Sequence, residues 1–256
     1  MPSFPLHQAN PLLSHFTTFL TASIHTILYH RALYPAETFL TTRSHNLPIH
    51  QSRHPALCAW ISDAVASATA QIRSGSVRRV AVVLHAPPER GRAVVERWVF
   101  DLEGWPSWPD APSGKESKGK ERAEAGDEGD EERSGVNWVD VEEGLRGALR
   151  RISYAAEKAG PLPSGCTFTL AVELRDEAPA PIGHPQAWIP SEPNLQPGSS
   201  RSGRNAGGKT TPLRSVEAGP LFFECWVEEG DAQVHSSSPS SQEESQSQRP
   251  RGMPLA

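Results

Sequence analysis

The sequence lacks the features that direct a chain to secretion, to a membrane or to nucleic acid. It has no run of ~18 apolar residues, and no basic segment followed by an apolar one stands at its N-terminus. We therefore expect neither a membrane span nor a secretory leader. The formal net charge of −5 argues against tight direct binding to nucleic acid, because such proteins concentrate positive charge on one face.

Cysteine is scarce, and its pattern excludes the common cysteine-based sites. The chain has only 3 cysteines, Cys58, Cys166 and Cys225, and none forms a Cys-x-x-Cys pair. An odd number of cysteines in apolar segments predicts buried, reduced thiols rather than disulfides or a zinc site. This pattern favours the nucleus or the cytoplasm.

The hydrophobic share is also low, at 37% of 256 residues, because several segments are polar and of low complexity. We predict an N-terminal tail at 1–10 and a single domain at 11–229, followed by a disordered tail at 230–256. Inside the domain, residues 104–135 form a charged insert without apolar anchors, which predicts disorder. Residues 197–208 form a second, Gly/Ser-rich loop.

Apolar residues at three- and four-residue steps predict three helices. The first begins at Pro11 and runs for about 18 residues with a wide apolar stripe, as a central helix does. The second is predicted to be capped by Ser52 and to carry Trp60 within its apolar face. The third begins at Trp138 and ends near Gly160.

Strand patterns fall between and after these helices. Residues 77–84 and 93–102 flank a Pro/Gly-containing turn and predict an antiparallel hairpin. Residues 165–174 alternate most clearly, whereas residues 38–49 predict an irregular stretch or a short strand. The non-alternating order of elements predicts an α+β fold, with a three-helix layer packed on an antiparallel sheet.

A long connection precedes the last apolar strand. Residues 176–220 show almost no apolar periodicity, yet residues 221–227 read LFFECWV, as a core strand does. Connections longer than about 15 residues usually have a function, such as a lid or a binding loop. We interpret residues 176–229 as a belt that closes over a ligand. Trp188 has little apolar company within it, which suggests that this side chain covers a bound partner.

One sequence motif suggests a nucleotide site. Residues 203–210, GRNAGGKT, match the phosphate-loop pattern G-x-x-x-x-G-K-[ST]. A phosphate loop follows a strand and opens a helix, whereas here a Gly/Ser-rich segment precedes the motif and Pro212 follows it. A P-loop nucleotide hydrolase is therefore only a remote alternative.

No catalytic or metal motif is completed elsewhere. His45, His50 and His54 lie close together, but no nearby cysteine or carboxylate completes a metal site, so we interpret them as surface or capping residues. No GxSxG, HExxH or dinucleotide-binding fingerprint occurs. We predict a protein without enzymatic activity, metal or cofactor.

A series of short motifs runs through the chain in a specific order. They are ILY at 27–29, YP at 34–35, HPAL at 54–57, the strand at 80–84 with WVF at 98–100, LR at 145–146, GCTFT at 165–169, WI at 188–189, PL at 212–213 and WVEE at 226–229. In this order and spacing the chain resembles the HORMA domain family, and within it the non-catalytic adaptor subunits of translesion DNA polymerase zeta.

The resemblance implies that residues 176–229 are a safety belt, which wraps a partner peptide and adds a final strand to the sheet. The implied partner is the catalytic subunit of DNA polymerase zeta, which supplies a short hydrophobic, proline-containing motif in the nucleus. Trp60 and Trp188 match family positions that contact the captured peptide. Arg146 matches an arginine used in HORMA homo- or heterodimers. A spindle-checkpoint or meiotic HORMA adaptor is the alternative.

The resemblance also implies a second partner surface, where the C-terminal domain of a Y-family scaffold polymerase binds. It falls on Thr210, Glu224 and Trp226. Thr210 stands where the family has an apolar residue and Glu224 where it has a neutral amide, so this surface departs from the family pattern. Together the two surfaces imply an adaptor that bridges two polymerases.

Overall fold

Three helices pack on one face of a five-stranded antiparallel sheet in the computed structural model of the chain. The structure describes residues 6–106, 136–176, 178, 181, 188–189 and 209–230. The helices are α1 (Leu6–His30), α2 (Pro55–Arg73) and α3 (Trp138–Lys158); the strands are β1 (Phe39–Ser44), β2 (Leu47–Ser52), β3 (Val77–His85), β4 (Val94–Asp101), β5 (Thr167–Leu174), β6 (Thr210–Ala218) and β7 (Leu221–Glu229). The predicted α+β fold is confirmed.

The strand order places the two ends of the predicted belt at opposite edges of the sheet. The order is β5-β3-β4-β7-β6, and β1 and β2 form a separate hairpin that packs on α1. The chain leaves the sheet after β5 at one edge and returns at β6 on the other. Since neighbouring strands lie about 4.8 Å apart, residues 175–209 connect edges separated by roughly 19 Å.

The core forms around α1, as its wide apolar stripe predicts. Phe16 and Phe19 of this helix are almost completely buried. Their rings lie 5.4 and 5.5 Å from the ring of Phe223, which belongs to β7. The last strand is therefore anchored on the central helix through aromatic contacts, which add to the energy of apolar burial.

A buried ion pair joins the ends of α1, α3 and β4. Arg31 donates to both carboxylate oxygens of Glu96, over 2.6 Å from Nη2 and 3.0 Å from Nε. The same guanidinium donates to the carbonyl of Gly160 over 2.6 Å, and Trp98 Nε1 donates to Glu96 over 3.1 Å. Loss of either charge would remove the main ionic partner of the other in a buried site, which is strongly destabilising.

Two predicted helix starts are wrong. α1 begins at Leu6, before Pro11 and within the predicted tail, because Ala9 and Leu12 are buried and hold this turn on the core. Pro11 removes one backbone hydrogen bond there and its ring crowds the carbonyl four residues earlier, a cost that the burial of this turn offsets. α2 is capped by His54, whose Nδ1 accepts from the backbone of Leu57 over 3.3 Å, whereas Ser52 ends β2.

Two further boundaries differ from the prediction. The stretch at 38–49 contains β1 and the start of β2, which turn at His45 and Asn46 with φ of 46° and 57°. Trp105, predicted within the charged insert, is buried and packs against Phe16 with ring centroids 4.8 Å apart. The folded part of the domain before the insert therefore extends through Trp105. The rest of the insert, 107–135, and the terminal segments 1–5 and 231–256 lie outside the described residues.

The prediction missed β6. Only Val216 and Ala218 of this edge strand are buried, so its sequence carries little apolar pattern. It packs closely on α3 at two glycines: a Cβ added to Gly144 would lie 2.9 Å from Val216 Cγ1, and one added to Gly147 would lie 2.8 Å from Arg214 Cζ. The end of the predicted belt is therefore a β6–β7 hairpin seated on α3.

Candidate functional site

One backbone edge of strand β5 is not paired with any strand of the described residues. Within the described sheet it pairs only with β3, in the register Phe168 with Leu84, Leu170 with Val82, and Val172 with Val80. Its other side has no strand neighbour among the described residues. An unpaired edge presents backbone donors and acceptors that another extended chain can pair with.

The side chains of β5 also leave apolar surface incompletely covered. Phe168, Leu170 and Val172 face the core but are only half-buried, whereas their partners on β3 are fully buried. Burying apolar surface is favourable in proportion to the area removed from water. An extended chain added to β5 would gain backbone hydrogen bonds and would cover these three side chains.

Trp60 flanks this edge. Its ring lies 5.0 Å from that of Phe168 at an interplanar angle of 80°, and 44% of the residue is exposed. The buried stripe of α2 consists of Ile61, Val65, Ala68 and Ile72. The prediction that Trp60 lies within the buried apolar face is therefore wrong, since the core stripe passes beside this residue and leaves its indole at the surface of the β5 edge.

Trp188 is half-buried, and the adjoining Ile189 is 88% exposed. The residues on both sides of this pair lie outside the described part of the chain. The role of Trp188 over a captured peptide stays a prediction.

The predicted second surface lies on one side of the β6–β7 hairpin. Glu224, Trp226 and Glu228 occupy alternate positions of β7, so their side chains share the face that points away from the helices. Thr210 of β6 pairs with Glu228 and lies on the same face. Trp226 Nε1 donates to Glu228 over 2.8 Å, and the guanidinium of Arg79 lies 5.6 Å from the indole. The structure brings the three predicted residues onto one face, and their partner stays a prediction.

Arg146 lies on α3 and pairs with Glu143 one turn earlier on the same helix. Nearby on this helix, Val139 and Tyr154 are exposed. The predicted dimer contact of Arg146 stays a prediction.

The phosphate-loop match has the wrong structural context. Thr210 begins a β-strand rather than a helix, and Lys209 pairs with Glu229 of β7 over 3.5 Å. Since phosphate binding needs the N-terminus of a helix after the loop, this arrangement argues against a P-loop site. Residues 203–208 lie outside the described residues.

The three neighbouring histidines have separate structural roles. The side chain of His45 is only 3% exposed, which contradicts a surface position, and its Nδ1 lies 2.9 Å from a carboxylate oxygen of Glu142. His50 stacks on Tyr29 at 3.6 Å, and His54 caps α2 as the capping interpretation predicts. In the ranges that the structure describes, no group of histidine, cysteine or acidic side chains is placed to hold a metal ion.

Glu142 is a polar junction that the sequence did not predict. Its carboxylate on α3 accepts from His15 of α1 and from His45 of the β1–β2 turn. Burial raises the pKa of Glu142, but the bonds and charges of the two histidines outweigh burial and lower it overall. This junction fastens the β1–β2 hairpin to two helices and lies apart from the β5 edge.

The cysteines are free thiols, as predicted. Cys225 is buried, and burial raises the pKa of its thiol to about 12. Cys58 and Cys166 are only half-buried, so the prediction of burial is wrong for these two.

Over the described part of the chain, no helix is both long and apolar enough to cross a membrane.

Comparisons with known proteins agree on one family. A family model described as the HORMA domain matches residues 13–198. The chain is 32% identical over 214 residues to the DNA polymerase zeta processivity subunit of Schizosaccharomyces pombe, covering 83% of this chain and 90% of the relative.

Solved structures show the same fold at low identity. A chain of the mitotic checkpoint complex matches with a TM-score of 0.60 at 16% identity, covering 85% of this chain and 97% of that one. HTP-2 of C. elegans bound to the HIM-3 closure motif matches with a TM-score of 0.57 at 13% identity, covering 84% of this chain and 88% of that one.

Proposed function

The chain belongs to the HORMA domain family, and from this membership we propose that it is a non-catalytic adaptor that captures an extended peptide along the edge of β5 that no described strand pairs with. The peptide pairs with β5 as an added strand, and the belt at 176–229 closes over it. Affinity then comes from backbone hydrogen bonds, and specificity from the pockets that receive alternate side chains.

The observation that carries this proposal is the position of the two belt ends. β6 and β7 occupy the sheet edge opposite β5, so the C-terminal strands do not compete with a ligand for the β5 edge. The connection between them starts beside that edge and ends across the sheet. We propose that this connection closes over a chain that lies on β5.

The far end of the belt is firmly held, which supports its function as a closure. Leu221, Phe223 and Cys225 of β7 are buried in the core. Beyond β7, the backbone of Gly230 donates to the carbonyl of Val95 over 2.7 Å. A Cβ at Gly230 would lie 2.3 Å from the Val94 carbonyl oxygen, so the chain passes too close to β4 for a larger residue.

The relatives suggest the partner. The S. pombe relative is named as a subunit of DNA polymerase zeta, and the C. elegans HTP-2 structure is bound to a closure motif. We infer that this chain captures a short hydrophobic, proline-containing motif of the polymerase zeta catalytic subunit in the nucleus. Trp60 lines the groove beside the peptide, and Trp188 covers it from the belt.

We also propose that the face with Thr210, Glu224 and Trp226 binds the C-terminal domain of a Y-family scaffold polymerase. This face points away from the helices and lies outside the β5 groove, so both partners can bind at once. The chain would then bridge two polymerases in lesion bypass. Arg146 on α3 is proposed to contact a second HORMA domain in a dimer.

A peptide screen tests the capture site. Overlapping peptides that tile the polymerase zeta catalytic subunit are measured for binding to the full chain, with mitotic and meiotic closure motifs as the comparison arm. We expect one or two polymerase tiles to bind more tightly than the closure motifs. A chain that binds only the closure motifs would be a checkpoint or meiotic adaptor, and a chain that binds neither would contradict the proposal.

A pair of aromatic substitutions locates the site. Trp60→Ala removes the indole beside β5 and should weaken binding of the best polymerase peptide by about thirtyfold, as loss of an interface anchor does. Tyr154→Ala is the matched control, because this tyrosine is also exposed but lies on α3. Equal effects of the two substitutions would place the peptide elsewhere.

A further inference from the structure

Along the side of α2 that carries Trp60, the side chains beyond that residue are small. Ala64 and Ser67 follow Trp60 at steps of four and three residues, so all three lie along one line of the helix. Ala64 and Ser67 are half-buried, between the buried stripe of α2 and its exposed side. One large side chain is thus followed by two small ones.

Helix α2 and strand β5 come together at two points, which occur in the same order along both elements. Near their starts, Trp60 contacts Phe168. Near their ends, Ile72 of α2 and Arg175, which directly follows β5, line the same cavity. Positions along the two elements can therefore be compared from these common points.

The rise per residue aligns each small residue with a side chain of β5. Ala64 lies about 6 Å beyond Trp60 along the helix, and Leu170 lies about 6.6 Å beyond Phe168 along the strand. Ser67 lies about 10 Å beyond Trp60, nearest in height to the next inward side chain, Val172. The inward side chains of a peptide strand would repeat with the same spacing as those of β5.

We propose that Ala64 and Ser67 determine the specificity of the captured motif, an inference that rests on the proposed peptide capture. In the direction of β5, the motif places a small residue or a proline ring against Trp60. Its second and fourth residues beyond that one are large and aliphatic, because Ala64 and Ser67 leave room for them above Leu170 and Val172. The residues between point outward and are not selected by this helix.

The test fills the space that Ala64 leaves. Ala64→Leu should weaken the best peptide from the tiling screen by about tenfold or more, since overpacking a fitted site has a cost of this order. Ala66→Leu is the matched control, because Ala66 lies on the exposed side of the same helix and alanine and leucine are both good helix formers. Ser67→Leu repeats the test at the next position.

A compensating change in the peptide separates blocked binding from misfolding. Replacing the aliphatic residue opposite Ala64 by alanine should weaken binding to the natural chain and restore binding to Ala64→Leu. Equal binding of the original peptide by Ala64→Leu and the natural chain would overturn the specificity inference alone, as would an equal loss in Ala66→Leu. If no peptide binds the natural chain, the proposed function fails and this inference fails with it.

Discussion

The two edges of the five-stranded sheet are completed in different ways. At the β6–β7 edge, Leu221 and Phe223 are fully buried against the helices, and β6 covers the outer side of β7. At the β5 edge, Phe168 and Leu170 face the same helix layer but remain half-buried, and no described strand covers them. Both outer strands lack a second strand neighbour among the described residues, but the β6–β7 edge is packed tightly on the helices, whereas we propose that a partner covers the apolar side chains at the β5 edge.

The closed edge includes features that are unfavourable by themselves. Gly144 and Gly147 lie inside α3, where each glycine costs about 0.5–1 kcal/mol relative to alanine. Gly144 allows β6 to approach the helix more closely than a residue with a Cβ would, because that Cβ would lie 2.9 Å from Val216 Cγ1. The packing of β6 therefore offsets a local weakness in α3.

The largest expected difference between the edges is in stability. Phe223→Ala should lower the free energy of unfolding by about 3–5 kcal/mol, because it empties a fully enclosed site between Phe16 and Phe19. Phe168→Ala should cost less than half as much, because its side chain is half-buried. Urea unfolding of both variants measures the difference. Equal losses would show that the β5 edge is as tightly packed as the β6–β7 edge.

The next effect concerns binding at the β5 edge. Trp188→Ala should raise the rate of peptide dissociation so that binding weakens by about 2 kcal/mol, because a belt that opens to release its ligand controls the off-rate. The melting temperature of the free chain should change little in Trp188→Ala. Trp60→Ala should also change it little, since the exposed indole adds little to the core.

Surface-plasmon kinetics with the best peptide, together with thermal melts, measure both properties. An unchanged dissociation rate in Trp188→Ala would mean that the belt does not close over the peptide. A large drop in the melting temperature of Trp60→Ala would mean that this residue stabilises the domain rather than the complex.

A smaller effect is expected at the helix under β6. Gly144→Ala places a Cβ 2.9 Å from Val216 Cγ1, a branched side chain fixed within the strand, so we expect a net loss of about 1 kcal/mol. Gly147→Ala meets only the mobile guanidinium of Arg214, so the helix-forming preference of alanine should compensate for the contact. Thermal melts of the two variants test this, and a stabilised Gly144→Ala would contradict close packing at Val216.

Sequence periodicity predicted the elements whose apolar residues are regularly spaced. α3, β5 and β7 lie where the pattern places them, because each buries alternate or helically spaced apolar residues. β6 was missed because an edge strand with few buried residues has a polar sequence. Trp105 was misplaced because it stands next to a charged segment but packs on α1, which is distant in the chain.

The candidate site was less accessible to sequence reasoning. The resemblance implies that Trp60 contacts a peptide, which stays a prediction, whereas periodicity assigned this residue to the core because the helix line that carries it borders the buried stripe. Which strands form the two edges of the sheet depends on strand order, and local pattern does not determine strand order. The link between Arg31 and Glu96 likewise joins residues distant in sequence, and no local pattern predicts such a pair.

The smallest effect is expected at Lys209, where the closed edge overlaps the phosphate-loop motif. This side chain is 73% exposed and pairs with Glu229 over 3.5 Å, so Lys209→Ala should change the unfolding free energy by less than about 1 kcal/mol, as for other surface ion pairs. Peptide affinity should stay unchanged, because Lys209 and Glu229 lie at the edge opposite β5. Thermal melts and peptide titrations test both points, with an ATP titration of the natural chain alongside. ATP binding that Lys209→Ala abolishes would show that the motif functions as a phosphate loop, although a strand rather than a helix follows it. If ATP does not bind and peptide affinity is unchanged, the role of Lys209 is limited to its ion pair with Glu229 at the end of β7.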